Sequence, residues 1–299
     1  MPVPKFDIII PAYNAEAYLS EAIDSVISQT LGDWRIILVD DGSTDNTAEI
    51  ASGYQRQLKE RMIIITQRNA GLPAARNAAI RAATAEFLAI LDSDDVWVPN
   101  RVEESLNALE ARPLAGLSYG LVTRIDETGQ EIATFHGNRH HSEGRIARYV
   151  YMRQVEFPCP TVTVRRLCVE EVGVFDETMR ATEDRDMWFR IATKYEVAFV
   201  PKVIAYYRTY PSSMSGDIDR MLAAQLKFIR KHYGAPGCGF ISRQIAMSRA
   251  YKQRGEGLQA RKRYWHAVRS SLLAVAIWPF SQDNLRSAGS VLLTCARLK

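Results

Sequence analysis

Cysteine is scarce in this chain, and so are histidine and long apolar runs. Four cysteines in 299 residues (Cys159, Cys168, Cys238 and Cys295), none at CxxC spacing, make a poor disulfide framework. A reducing, cytoplasmic setting is the expectation. His136, His140 and His141 sit in a polar stretch without HExxH or similar spacing, which argues against zinc. The longest apolar run, Leu272–Phe280, contains Pro279 and falls far short of the roughly 20 residues that span a bilayer. Asp7 interrupts the first apolar stretch and no basic segment precedes it, so no secretory leader is expected. Neither GxGxxG nor GxxxxGK[ST] follows any strand pattern, which disfavours dinucleotide and P-loop chemistry.

What remains describes a folded α/β chain. With 47% apolar and 24% charged residues, enough apolar surface exists to offset chain ordering, which rules out disorder. The length suggests two domains, or one large α/β domain with an appendage. Charge divides the same way. Residues 217–299 hold fifteen Lys/Arg against four Asp/Glu, whereas residues 1–216 carry an excess of seven acids. We therefore expect one domain over 1–216 and a basic helical region over 217–299.

Strand and helix patterns alternate four times at the start. Phe6–Ile10, Arg35–Val39, Met62–Thr66 and Phe87–Leu91 read as short buried strands. Glu16–Thr30, Thr47–Leu58 and Ala74–Ala83 show helical spacing between them. Such alternation argues for a mostly parallel sheet with helices on both faces, whose ligands bind at the carboxyl ends of the strands. Further on, Thr161–Val164, Ala198–Pro201 and Ile204–Arg208 read as strands and 183–194 as a helix with acidic residues in its first turn. After Ser215 the chain reads as helical through Arg297, with breaks near Gly234–Gly239, Gly255–Gly257 and Pro279–Asp283.

Carboxylates collect at the expected ligand edge. Asp92-Ser-Asp-Asp95 follows the fourth strand; three carboxylates in four residues repel one another unless a cation or donors neutralise them. Asp92 and Asp94 alternate, so both fit one side of a turn and a hard cation such as Mn²⁺ or Mg²⁺. The plain alternative is an acidic turn in which Asp94 or Asp95 caps a helix over Val96–Leu109; the position at the sheet edge favours a ligand. Asp40-Asp-Gly-Ser-Thr-Asp-Asn-Thr47 combines a strand end, a turn glycine and a helix cap from Thr44 or Asp45. Asp41 there suits a nucleobase N–H or a ribose hydroxyl. Arg76 fits a phosphate contact or a role orienting the acidic edge, and a structural ion pair equally well. From the residues alone, Glu183 and Asp184 are first-turn helix decoration, and Arg208 near Ser212, Ser213 and Ser215 is a cation able to approach a diphosphate.

Taken in order, these segments resemble the family 2 glycosyltransferases of GT-A fold. The matching residues are Pro11-Ala-Tyr-Asn14, Asp40–Thr47, Asn69–Ile80, Phe87–Pro99, Val172–Glu177, Glu183–Arg190 and Tyr207-Arg208, across about residues 5–216. The resemblance implies a GT-A type α/β fold, a mixed but mostly parallel sheet flanked by helices, here with a C-terminal helical extension. It implies a nucleotide-diphospho-sugar donor, with Pro11, Tyr13 and Asp41 at the base and uridine favoured. It places Asp92 at the ribose or metal, Asp94 on Mn²⁺ or Mg²⁺, Arg208 near the diphosphate and Asp184 as catalytic base. Two departures stand out. The QxxRW motif of processive members is absent, which favours transfer of one sugar at a time, and Tyr210 occupies a position where the family often has histidine.

The chemistry implied is inverting transfer to a hydroxyl acceptor, a glycan or a lipid-linked sugar, in cell-surface polysaccharide or lipid-linked oligosaccharide synthesis. A sugar-nucleotide nucleotidyltransferase would need a basic, glycine-rich loop after the first strand, and Pro11–Leu19 has none. A non-catalytic nucleotide-sugar-binding scaffold is the other alternative. No nucleic acid is expected as partner. In the tail, the segment 258–278 places Trp265, Leu272 and Trp278 among Arg261, Lys262, Arg263 and Arg269. It reads either as a helical hairpin packed on protein, including a second copy in a homo-oligomer, or as a peripheral contact with an anionic inner membrane face.

Overall fold

The computed structural model describes residues 3–135, 142–179, 181–210 and 217–296. The histidines at 136, 140 and 141 and the serines at 212, 213 and 215 lie outside these. Two compact units emerge, one from 1–146 with 156–210 and one from 147–155 with 211–299.

In the sheet unit, β1 (Phe6–Ala12), β2 (Trp34–Asp40), β3 (Met62–Thr66) and β4 (Phe87–Ile90) run parallel in the order β3-β2-β1-β4. Every residue of β1 and β4 is buried, as a parallel strand covered on both faces requires. Helices α1 (Leu19–Ile27), α2 (Thr47–Leu58) and α3 (Leu72–Ala82) make the crossovers. α1 is shorter than its apolar spacing suggests. Gln29, just past its end, is buried; its Nε2 donates to Val98 O and its Oε1 accepts from Val102 N, which turns the chain out of the helix.

The helix expected over Val96–Leu109 is two elements: β5 (Val96–Trp97) and α4 (Arg101–Ala111). Trp97 is buried and its Nε1 donates to Pro160 O at 2.7 Å, so packing draws these residues into the sheet, and neither Asp94 nor Asp95 caps α4. The sheet continues through β6 (Ala115–Ile125), β7 (Glu131–Phe135), β8 (Thr163–Arg165) and β9 (Glu196–Arg208). β8 is antiparallel to both β4 and β6, whereas β9 is parallel to β6, giving a mixed sheet. Ala198–Pro201 and Ile204–Arg208 belong to the single strand β9; the register against β6 shifts between Gly120 and Leu121, where Pro201, lacking an N–H, falls outside the ladder. Helices α6 (Arg166–Val172) and α7 (Glu183–Lys194) complete this unit.

The helical unit holds α5 (Ala147–Tyr151), α8 (Ile218–Lys231), α9 (Phe240–Ala260), α10 (Tyr264–Ile277) and α11 (Gln282–Ala296). The expected division at 216/217 leaves α5 out of it; Tyr151 Oη donates to Ile229 O at 2.9 Å, tying α5 to α8. α9 does not break at Gly255–Gly257. A Cβ at Gly255 would stand 2.5 Å from Ser271 Oγ and 3.4 Å from Ala267 O, so this glycine lets α10 approach closely and the helix runs on. The break comes instead at 261–263, where Lys262 is left-handed (φ 60°), so segment 258–278 is not one helix.

Candidate active site

The carboxyl ends of β1 and β2 lie side by side, with Ala12 opposite Asp40. Asn14 takes a left-handed turn (φ 49°), its N–H bonds Ser43 Oγ, and its Oδ1 accepts from Thr44 N, lacing the two loops together. Pro11 is buried in β1, while Tyr13 beside it is 52% exposed and offers a ring face at the rim. Asp41 is buried. Its carboxylate accepts from Gln67 Nε2 (2.7 Å), Ala70 N (2.9 Å) and Gly71 N (2.8 Å). It thereby shapes the loop that leads into α3, which leaves little acceptor capacity for a base.

The run after β4 folds into a turn closed by Asp95 N and Asp92 O at 3.1 Å, and its three carboxylates meet different surroundings. Asp95 is buried and accepts from Arg208 N at 2.8 Å, while its Oδ2 has no partner among the described residues. Burial and the charge of Asp94 hold its carboxyl well above the ordinary range. Asp94 is half-buried and accepts from Tyr210 Oη at 2.8 Å; burial and the nearby charge of Asp92 raise it too. Asp92, partly open to solvent, accepts from Arg76 Nη2 at 2.6 Å.

Arg76 carries the connection to the second half of the chain. α3 begins with Pro73 in its first turn, which suits a helix start, and its inward face delivers Arg76 in a fully buried position. One guanidinium bonds Asp92, Glu183 Oε1 (2.9 Å) and Cys159 Sγ (3.3 Å) and lies 5.4 Å from the Phe175 ring centroid. Burial works against its charge, but the carboxylates of Asp92 and Glu183 hold it well above the usual range. The next residue, Asn77, fixes the turn before α7: its Nδ2 donates to Phe175 O and Glu177 Oε1, and its Oδ1 accepts from Phe175 N.

α7 starts after Thr182, itself left-handed (φ 61°), and puts Glu183 and Asp184 in its first turn. Burial pushes Glu183 up to about 7 despite the attraction of Arg76. Asp184 is half-buried and also raised, chiefly by burial; its Oδ1 accepts from Arg185 N at 2.6 Å. Cys159, buried beside them, is held well above the ordinary thiol range by burial and stays neutral. The sequence offers no sign of its role. Nor does it announce Arg101, which is buried with no carboxylate partner among the described residues, pushed down to about 9 by burial, and donates to Pro160 O, Val162 O and Thr163 Oγ1.

Arg208 departs from expectation. It ends β9, is buried, and its guanidinium contacts the acidic turn. Nε donates to Asp94 O, Nη1 to Asp126 O and Glu127 O, and Nη2 to Glu21 Oε2, with the Tyr18 ring centroid 4.5 Å away. Its donors are thus engaged within the protein, by the acidic turn's Asp94 O, by Asp126 O and Glu127 O, and by Glu21. β9 sets its position, because the pairing with β6 places Arg208 opposite Ile125.

Among the described residues, no three His, Cys, Asp or Glu side chains form a metal cage. The donor set fits a hard divalent ion differently. Asp92 and Asp94 each have one oxygen engaged by the protein, and an ion held by one or two carboxylates completes its shell with phosphate oxygens and water. Such an ion would also relieve the repulsion that raises Asp94.

Comparison with known proteins bears on the family and the fold. A family model described as glycosyl transferase family 2 matches residues 7–170. An uncharacterized glycosyltransferase of Rickettsia prowazekii is 28% identical over 210 residues, 69% of this chain and 64% of that protein, so this chain spans under two thirds of its relative. Among solved structures, S. aureus TarS in complex with UDP superposes with a TM-score of 0.66 at 15% identity, covering 99% of this chain and 92% of the other. The mannosyltransferase PcManGT from Pyrobaculum calidifontis, in complex with GDP-Man and Mn²⁺, gives 0.68 at 18% identity, covering 99% and 80%. At these identities the likeness concerns the fold, a GT-A type α/β arrangement. With more than half of its residues matched by the family model, and its motifs gathered on one sheet edge, this chain belongs to glycosyl transferase family 2.

Proposed function

We propose that this chain is an inverting, metal-dependent glycosyltransferase. It moves a sugar from a nucleotide-diphosphate donor, UDP favoured, to a hydroxyl of a glycan or lipid-linked acceptor in cell-surface polysaccharide or lipid-linked oligosaccharide synthesis. The observation that carries this reading is the Arg76 guanidinium bound to both Asp92 and Glu183. It draws the acidic turn, where a diphosphate would sit, to the first turn of α7, where a base would act.

In this reading 1–216 holds the chemistry and 217–299 serves another purpose. Tyr13 lies against the nucleobase, and Asp41 shapes the loop at its edge. Asp94 and Asp92 would hold Mn²⁺ or Mg²⁺, which, when bound, offsets charge gathering on the departing diphosphate. Asp184 Oδ2 removes the proton of the acceptor hydroxyl as that oxygen bonds the anomeric carbon from the face opposite the diphosphate. The bond between that carbon and the diphosphate oxygen breaks, and configuration inverts. A carboxylate raised by burial is a stronger base than an ordinary one, which suits this task. General-base assistance contributes about 10²–10⁴-fold, and positioning and leaving-group stabilisation supply the rest.

A thermal-shift panel of UDP-, GDP- and dTDP-sugars, with and without Mn²⁺, tests the donor and the metal together. A Mn²⁺-dependent rise with one nucleotide is expected. No rise with any of them would remove the reading.

A further inference from the structure

Helix α10 turns its small residues inward and its large apolar ones outward. Ala267, Ser270, Ser271 and Ala274 are buried, and Ser270 Oγ donates to Tyr251 O of α9 while Ser248 Oγ of α9 donates to Ala274 O. Across the helix, Trp265 is 74% exposed, Leu272 49% and Leu273 40%. With Val268, Arg269 and Ala276 they line one shallow depression, at positions that share a single helical face. Phe280, in the turn that follows, is 80% exposed. A helix facing water on its outer side would have the reverse order.

Charge selects the occupant. From 257 to 282 there is no Asp or Glu, while Arg261, Lys262, Arg263 and Arg269 are all exposed. A second copy would bring the same four cations against themselves, whereas an anionic surface would be attracted by them. The 14 residues of α10 span about 21 Å, less than a bilayer core of about 30 Å. No helix among the described residues is long and apolar enough to cross a membrane.

We propose that the outer face of α10, with the basic turn at 261–263, seats the helical unit in the plane of an anionic phospholipid surface. Trp265, Leu272 and Leu273 enter the boundary between headgroups and acyl chains, and the arginines and lysine meet lipid phosphates.

Flotation of the full chain with phosphatidylcholine vesicles, with and without phosphatidylglycerol, tests this. The protein rises with the mixed vesicles, less so with phosphatidylcholine alone, and added salt weakens the binding. Replacing Arg261, Lys262 and Arg263 by Gln lowers the partition coefficient by about fivefold per charge, on the order of 10²-fold together. Trp265→Ser weakens binding to the mixed vesicles at any salt. Partitioning indifferent to lipid charge would overturn the proposal. So would selective partitioning that the triple variant leaves unchanged while its thermal transition matches wild type. A dimer in sedimentation velocity that Trp265→Ser dissolves, with no preference for anionic vesicles, would give the face to a second copy. The salt and lipid dependence of the wild-type chain needs no variant, so a folding defect does not blunt the test.

Discussion

The two units of this chain use burial in opposite ways. In the sheet unit, Arg76, Arg101, Arg208, Asp95 and Glu183 are buried among apolar strands, and each is held by specific partners. In the helical unit, alanine, serine and glycine fill the contact between α9 and α10, while tryptophan and leucine face outward. Removing a charge from water is costly unless it is paired, and exposing a large apolar side chain forgoes its transfer free energy. Each unit thus carries one expense that folding alone does not explain. In the first it coincides with the motifs of a transferase; in the second it coincides with a stretch free of acids.

The contrast can be broken at several points. Asp184→Asn should lower transfer by about 10²–10⁴-fold while nucleotide-induced thermal shifts persist; an unchanged turnover would detach the α7 carboxylates from chemistry. Arg76→Met strips Asp92 and Glu183 of their shared partner, and urea denaturation should register a loss of about 3–5 kcal/mol. Glu183→Gln separates burial from charge. The folded chain keeps the Glu183 proton up to about 7 while the unfolded chain loses it near 4.5, so ionising Glu183 destabilises the fold as pH rises through that window. Relative to the Gln variant, the wild type should lose up to about 1.4 kcal/mol per pH unit there, with no further change above it. In the helical unit, Gly255→Val overfills the contact with Ser271 and should cost about 1–3 kcal/mol in thermal or urea melts. Trp265→Ser should alter stability by no more than about 0.5 kcal/mol, since its ring already stands in solvent; a larger loss would mean that the face packs on protein.

Much of the sheet unit was legible in the order of residues. β1 to β4 are short runs rich in Ile, Leu, Val and Phe bounded by turn residues, and their shortness and β-branched content mark them as strands. β6 escaped the same reading because Gly116, Ser118 and Gly120 interrupt its apolar pattern. Gly116 and Gly120 are there for contact, since a Cβ would stand 2.8 Å from Tyr195 Cβ at one and 2.6 Å from Ile204 Cδ1 at the other. Asp92 and Asp94 could be singled out from motif and position, and Asp184 only through the family resemblance. An ion pair is one reading of Arg76, but its second partner was not legible, nor were the partners of Arg208. Arg76 meets Glu183 across 107 positions and Arg208 meets Glu21 across 187, and no local spacing encodes such pairings.

By itself, then, the sequence determined the alternation of strands and helices, the acidic ends of β2 and β4, and the basic tail with its acid-free stretch 257–282, because periodicity and composition act over a few residues at a time. Only the tertiary structure decided which of the clustered carboxylates lie buried, that one arginine unites Asp92 with Glu183 while another is bonded to the turn through Asp94 and Asp95, and which side of α10 faces water. Those outcomes depend on packing between distant segments, where burial sets the cost of each charge and the choice of neighbour sets how much of that cost is recovered.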